Sequence, residues 1–158
     1  MSITLREEIQ QQQAFRSLEQ EASLNLYRTV QMLAERTDQF FQEYGLTSTQ
    51  YNVLRILRGA GDAGLGRNEI RDRLVGRMPD VTRLLDRMEE ARLVRRVRST
   101  SDRRCVPTVL TEQGRTLVDS LDAPVAELEN GQFGHLTTGQ LHSLIETLTQ
   151  IRARLLPL

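Results

Sequence analysis

The chain has 158 residues, 39% apolar and 27% charged, the balance of an ordinary globular domain with or without an oligomerisation arm. No run of 18 apolar residues offers a membrane span, the first 30 residues hold Arg6, Glu7, Glu8 and Gln10–Gln13 instead of a signal's apolar core, and a single cysteine, Cys105, excludes a disulfide framework or a multi-cysteine zinc site, so a cytoplasmic protein is expected. Net charge is zero, yet all 21 basic residues are arginine, and residues 55–115 carry +6 between two flanks of −3 each, which is either a polyanion-binding surface or a solvated arginine-rich face.

Residues 1–16 are polar and read as an arm, either mobile or the frayed start of a helix. From Ser17 to Tyr44, Leu26, Val30, Leu33, Phe40, Phe41 and Tyr44 recur at helical steps, and Gly45 supplies a left-handed stop. Thr47-Ser48-Thr49-Gln50 is a capping box that opens a second helix with Tyr51, Leu54 and Leu57 on its inner face. After the glycine-rich stretch 59–66, Ile70 and Leu74 mark a short third helix. Pro79, tolerated at a first helical position, opens a fourth that runs to Ala91, with Val81, Leu84, Leu85 and Met88 as its buried stripe. Val94–Arg98 and Cys105–Leu110 flank the turn-forming 99–102 and read as a hairpin, and Pro107 predicts that its strand lies at an edge or bulges. Thr111 caps a fifth helix that runs to about Glu129 and bends near Pro124. Thr137-Thr138-Gly139-Gln140 opens the last helix, where Leu141, Leu144, Ile145, Leu148, Ile151 and Leu155 share one face.

The central order is helix, short helix, helix, hairpin, which is a helix-turn-helix followed by a wing. A helix fits the major groove and meets base edges with its N-terminal residues. The inserting helix is the one opened by Pro79, whose polar face carries Asp80, Thr82, Arg83, Asp86, Arg87 and Glu90. Arg83 is the first choice for a base edge, since arginine paired with guanine is the commonest specific contact. Arg67, Asn68, Arg71, Arg73 and Arg77 are candidates for phosphate. Arg103 and Arg104 sit beside the wing turn, where arginine can enter the narrow minor groove.

The segment 102–114, Asp102-Arg103-Arg104 followed by Leu110-Thr111-Glu112-Gln113-Gly114, resembles the wing signature of MarR-type (multiple antibiotic resistance) transcription regulators. Residues 46–54 resemble that family's second-helix start and residues 81–89 its recognition helix, and the likeness extends over about 20–156. The resemblance implies a mainly α winged helix-turn-helix with a small β-hairpin. It further implies a homodimeric regulator, usually a repressor, that binds double-stranded DNA and is released by a small phenolic or anionic effector. Residues 46–111 would form the DNA-binding lobe, and 17–44 with 112–158 the interlocking dimerisation helices. Arg103 and Arg104 match the basic wing tip, and Asp102 matches an acid that orients Arg104. The family has glycine where Arg92 stands. A left-handed turn there costs about 1 kcal/mol, so either the helix end differs or Arg92 is one more phosphate contact.

Sharper readings of other residues give way to plainer ones. The literal Gly-x-Gly-x-x-Gly at 59–64 follows a helical pattern rather than a strand and reads as a loop, not a nucleotide site. Cys105 follows two arginines that would activate an exposed thiol, but a strand cysteine is more often a small buried hydrophobe. His135 and His142 lack partners at ligand spacing, so no metal or cofactor is expected, and no catalytic constellation suggests an enzyme. Phe40, Phe41 and Tyr44 read as core or interface. Tyr27, Arg28 and Arg55 are candidates to line a pocket for an anionic ligand. The rival from another class is a winged-helix protein–protein adaptor, against which the basic wing tip counts.

Overall fold

The computed structural model describes residues 3–76, 80–97 and 106–155. It divides into two compact units, Met1–Gly45 and Leu46–Leu158.

The first unit holds α1 (Leu5–Glu8) and the 25-residue α2 (Leu18–Gln42). The polar arm expected at 1–16 thus contains a helical turn of its own. Thr4 and Glu7 form a reciprocal capping box, and Glu8 pairs with Arg28 of α2 at 2.8 Å. Ser17 caps α2 by accepting the Gln20 N–H, and Gly45 beyond its end takes φ +70°. The rings of Phe40, Phe41 and Tyr44 cluster with centroids 5.0 and 5.1 Å apart.

The second unit carries α3 (Ser48–Ala60), α4 (Arg67–Arg73), α5 (Val81–Glu90), β1 (Val94–Arg96), β2 (Thr108–Leu110), α6 (Glu112–Ser120), α7 (Asp122–Phe133) and α8 (Thr138–Leu155). The Thr47–Gln50 and Thr137–Gln140 boxes open α3 and α8 as their sequences predict. Val53, Leu54 and Leu57 of α3, Ile70 of α4, Met88 of α5 and Val118 of α6 are fully buried and form the centre of the core. Each such side chain contributes about 1.5–3 kcal/mol. Leu74 is the C-cap of α4 rather than part of it.

Four expectations are corrected. First, α5 begins at Val81, two residues beyond the predicted Pro79: Asp80 is its N-cap and accepts the Arg83 N–H at 2.9 Å, while Pro79 lies outside the described residues. A carboxylate at the N-cap satisfies an orphan donor and complements the helix dipole, which proline cannot do.

Second, β2 begins only after Pro107, in a sheet of two strands whose other side carries a single bridge. β2 pairs antiparallel with β1 on one side, and on the other Thr108 exchanges both backbone bonds with Leu65 at 2.8 and 3.0 Å. Pro107 lies just outside the ladder. Its carbonyl accepts from Val97, but it has no N–H to return, and the regular strands stop there.

Third, the fifth helix is two helices. The chain breaks at Leu121, between α6 and α7, rather than bending at Pro124. A proline ring clashes with the carbonyl four residues earlier, here Ser120, the last residue of α6. In the first turn of α7 the same proline is tolerated, and α7 runs on to Phe133.

Fourth, the end of α5 does not change to suit Arg92. Arg92 adopts φ +59°. Its N–H bonds to the Glu89 carbonyl, and the Leu93 N–H bonds to the Met88 carbonyl, each at 2.9 Å, which is the Schellman closure usually built on glycine.

Candidate nucleic-acid interface

The helix α5 presents two unlike faces. Val81, Leu84, Leu85 and Met88 are buried, while Thr82, Arg83, Arg87 and Glu90 are exposed. Its N-terminus is fixed by the Asp80 cap. Its first turn is tied to α4 by Arg67, whose Nη1 donates to the Thr82 hydroxyl at 3.1 Å. Asp86 and Glu89, half-buried, hold Arg96 of β1. The guanidinium donates to both carboxylates, at 2.8 Å to Glu89, and the Arg96 backbone N–H donates to Glu89 at 2.9 Å. Asp86 is the main reason that the guanidinium's pKa is raised above the ordinary arginine value.

These contacts decide which charges face outward. Glu69 is occupied at the Gly66 N–H, Asp80 at its cap, and Asp86 and Glu89 with Arg96. Arg83 and Arg87 make no side-chain bond or ion pair among the described residues, so the exposed face of α5 is net positive. Beside it lies an open groove of about 650 Å³ between α4, α5 and the sheet, lined by Arg67, Asn68, Thr82, Asp86, Arg96 and Thr108 among others.

The signature residues at the start of α6 hold the far end of α5. The Thr111 hydroxyl donates to the Arg92 carbonyl at 2.6 Å and accepts the Gly114 N–H at 3.0 Å. A Cβ on Gly114 would sit 2.0 Å from the Leu93 carbonyl oxygen, so only glycine lets α6 approach the turn that ends α5. Gly64 is similar: at φ +66°, its Cβ would fall 2.5 Å from the Thr108 carbonyl. The 59–64 glycine pattern therefore serves the end of α3 and its packing on β2, not a strand-to-helix phosphate loop.

Apart from Asp80, which caps α5, the sequence-predicted residues are placed as follows. Arg67, Asn68 and Thr82 line one groove, and Arg83 and Arg87 lie on the exposed face of α5. Arg71 and Arg73 are exposed on α4, Arg71 pairing with its neighbour Asp72 at 3.0 Å. Arg77, Pro79, Asp102, Arg103, Arg104 and Cys105 lie outside the described residues. Of the residues suggested for an anionic ligand, Tyr27 and Arg28 belong to the first unit and Arg55 to the second. Tyr27 is exposed, Arg28 pairs with Glu8, and Arg55 stacks 6.0 Å from the Tyr51 ring centroid.

Sequence reasoning missed Arg96 and Arg58. Arg58, at the end of α3, bonds to Asp119 at 3.0 Å and in bidentate fashion to Asp122 at 2.9 and 3.0 Å. No local spacing announces either cluster.

Comparison with known proteins agrees with this geometry. A model of the MarR family matches residues 46–106. The chain is 30% identical to the HTH-type transcriptional regulator TtmR of Methylorubrum extorquens (strain PA1) over 139 residues, 88% of this chain and 69% of that one. It is 31% identical to the HTH-type transcriptional regulator PapX of Escherichia coli over 94 residues, 60% of this chain but only 57% of PapX. Both are named as transcription regulators rather than enzymes. A solved MarR transcription factor from Planctomyces limnophilus is 39% identical and superposes with a TM-score of 0.67, covering 87% of this chain and 99% of that one. With a capped, outward-facing basic helix followed by an antiparallel hairpin, and with these relatives, the chain belongs to the MarR family of winged-helix transcription regulators.

Proposed function

We propose that the protein is a homodimeric, sequence-specific DNA-binding regulator, acting as a repressor in the cytoplasm. The observation that carries this reading is the face of α5, where Thr82, Arg83 and Arg87 are exposed and both guanidinium groups lack an intramolecular partner among the described residues. Arg83 reads a base edge in the major groove, and Arg87 supports it. Arg67, Asn68, Arg71 and Arg73 contact phosphate. Asp80 acts indirectly, by capping the inserting helix. Arg77 and Pro79 in the approach to α5, and Asp102, Arg103 and Arg104 at the wing, keep the roles that the sequence motif suggests.

Dimerisation is supported by apolar side chains that the single chain leaves exposed. On α2 these include Tyr27 and Val30, and on α8 Leu144, Ile145, Ile151 and Leu155. A symmetric partner covers such faces. In this reading 17–44 and 112–158 build the dimer, and 46–111 meets the DNA. Release by a small phenolic or anionic ligand rests on the family resemblance. It is tested by screening such compounds for loss of DNA affinity.

Selection of duplexes from a random pool, footprinting of the winners and sedimentation of the free protein test the core of the proposal. The expected result is a dimer protecting two half-sites about one helical turn apart. A stable monomer, or a pool that never enriches, would overturn it in favour of the adaptor reading.

A further inference from the structure

The break between α6 and α7 is spanned by one side chain. Arg58, in the last turn of α3, is half-buried. Its Nη1 donates to Asp119 Oδ1 at 3.0 Å, to Asp122 Oδ2 at 3.0 Å and, at 3.5 Å, to the Val118 carbonyl. Its Nη2 donates to Asp122 Oδ1 at 2.9 Å. Asp119 lies in the last turn of α6, and Asp122 is the first residue of α7. Leu121 between them is fully buried and has no side chain that could cap α7. The guanidinium therefore grips both sides of a helix break while being rooted in the helix-turn-helix.

We propose that Arg58 is a positioning residue that fixes the angle between α6 and α7, and so sets the half-site spacing that the dimer accepts. The proposal rests on the dimeric DNA-binding reading given above. In that reading α3 belongs to the lobe that meets DNA, while α7 leads directly into α8, which bears the exposed apolar face. The α6–α7 angle then lies on the path from one recognition helix to the other.

The lever is long enough to matter. The 12 residues of α7 span about 18 Å at 1.5 Å per residue. A change of about 10° at Leu121 moves the far end of α7 by about 3 Å, close to one base-pair rise of about 3.4 Å. At the break the Leu121 N–H makes a 3.3 Å bond to the Val118 carbonyl and its carbonyl accepts from Val125 at 2.9 Å, fewer backbone bonds than a continuous helix would carry, so register to within a base pair needs an added brace. A guanidinium bound bidentately to one carboxylate and singly to another has the required directionality. The carboxylates are more than half exposed, 54% for Asp119 and 60% for Asp122. Such pairs contribute little to global stability, so the effect of removing the brace falls on geometry rather than on folding.

The test uses the full chain, wild type, Arg58→Gln and Asp122→Asn, and a duplex selected from a random pool by the wild type. Versions of that duplex have their half-sites moved together or apart by one and two base pairs, and competition titrations read relative affinity. Wild type should disfavour the altered spacings by about tenfold or more, as it would a mismatched site. Both variants should bind the parent duplex within about threefold of wild type yet discriminate among spacings several-fold less, with melting temperatures nearly unchanged. Asp122→Asn keeps Arg58 and its bond to Asp119, and reports on the same hinge should Arg58→Gln prove unstable. Variants that retain the wild-type spacing profile, or that weaken all spacings in parallel, would overturn the proposal. So would a wild type that binds but ignores spacing. A wild type that enriches no duplex would instead overturn the DNA-binding reading beneath it.

Discussion

Replacing Arg92 with glycine should stabilise the protein. Arg92 is an exposed residue at φ +59°, where a side chain crowds the following carbonyl. Relief of that crowding is worth about 1–2 kcal/mol. Glycine gives back about 0.4–1 kcal/mol through the greater freedom of the unfolded chain. Among the described residues the Arg92 side chain has no bond to lose: the bonds from the Arg92 and Leu93 N–H groups are backbone bonds, as is the acceptor that Thr111 uses on the Arg92 carbonyl. The net gain is roughly 0.5–1 kcal/mol, or about 2–3 °C in melting temperature for a chain of this size. The assay is reversible thermal unfolding of both proteins at one fixed concentration, because a dimer's melting temperature depends on concentration. A melting temperature that falls by more than about 1 °C would refute the reasoning, since it would mean that the arginine side chain makes a stabilising contact worth more than the strain.

Gly114→Ala should have the opposite effect. A Cβ placed 2.0 Å from the Leu93 carbonyl forces two backbone segments apart, and urea unfolding should register a loss above about 3 kcal/mol. Arg58→Gln should lower the melting temperature slightly at neutral pH, by a difference that shrinks in acid. The hydrogen bonds from Arg58 are the main cause that holds the Asp122 carboxyl below its ordinary range. A depressed carboxyl stabilises the fold above its unfolded pKa, about 3.9, and that contribution fades as pH falls through the lower folded value. Paired melts from pH 7 to pH 2.5 would show the gap closing below about pH 4, and a constant gap would contradict the assignment. Arg83→Ala should relax preference at one position per half-site by about 1–3 kcal/mol, measured by titrating single-base variants of a selected duplex. A uniform loss across all variants would demote Arg83 to a phosphate contact.

What could be read from the sequence was what local chemistry determines. The boxes Thr47–Gln50 and Thr137–Gln140, the buried stripe of α5 and the hairpin after it all depend on residues within a turn or a strand of one another. The start of α5 was misjudged because Asp80 was read as part of the helix's polar face, whereas its carboxylate caps the helix from outside. The Thr4–Glu7 box was present in the sequence but hidden in a run of polar residues. The break at Leu121 was displaced from Pro124 because a proline's clash falls one turn earlier, at Ser120. What no local pattern could show were contacts between distant segments. Arg58 meets aspartates more than sixty residues away, Gly114 packs on Leu93, and Thr108 pairs with Leu65 as well as with β1. For the DNA-facing side chains, spacing was enough to find the face of α5. The partners that occupy Asp86, Glu89 and Arg96 were visible only once the wing strand was set beside the helix.

The most direct test of the DNA-binding claim is a titration of the purified protein on a selected duplex against a scrambled one, at about 50 and 200 mM salt. Several arginine–phosphate contacts release counterions, so affinity for the selected duplex should fall by roughly a thousandfold or more across that range. The scrambled duplex should bind far more weakly at both salt concentrations. Equal, weak binding to the two duplexes, with no dependence on salt, would contradict the assignment of α5 and its arginines to DNA.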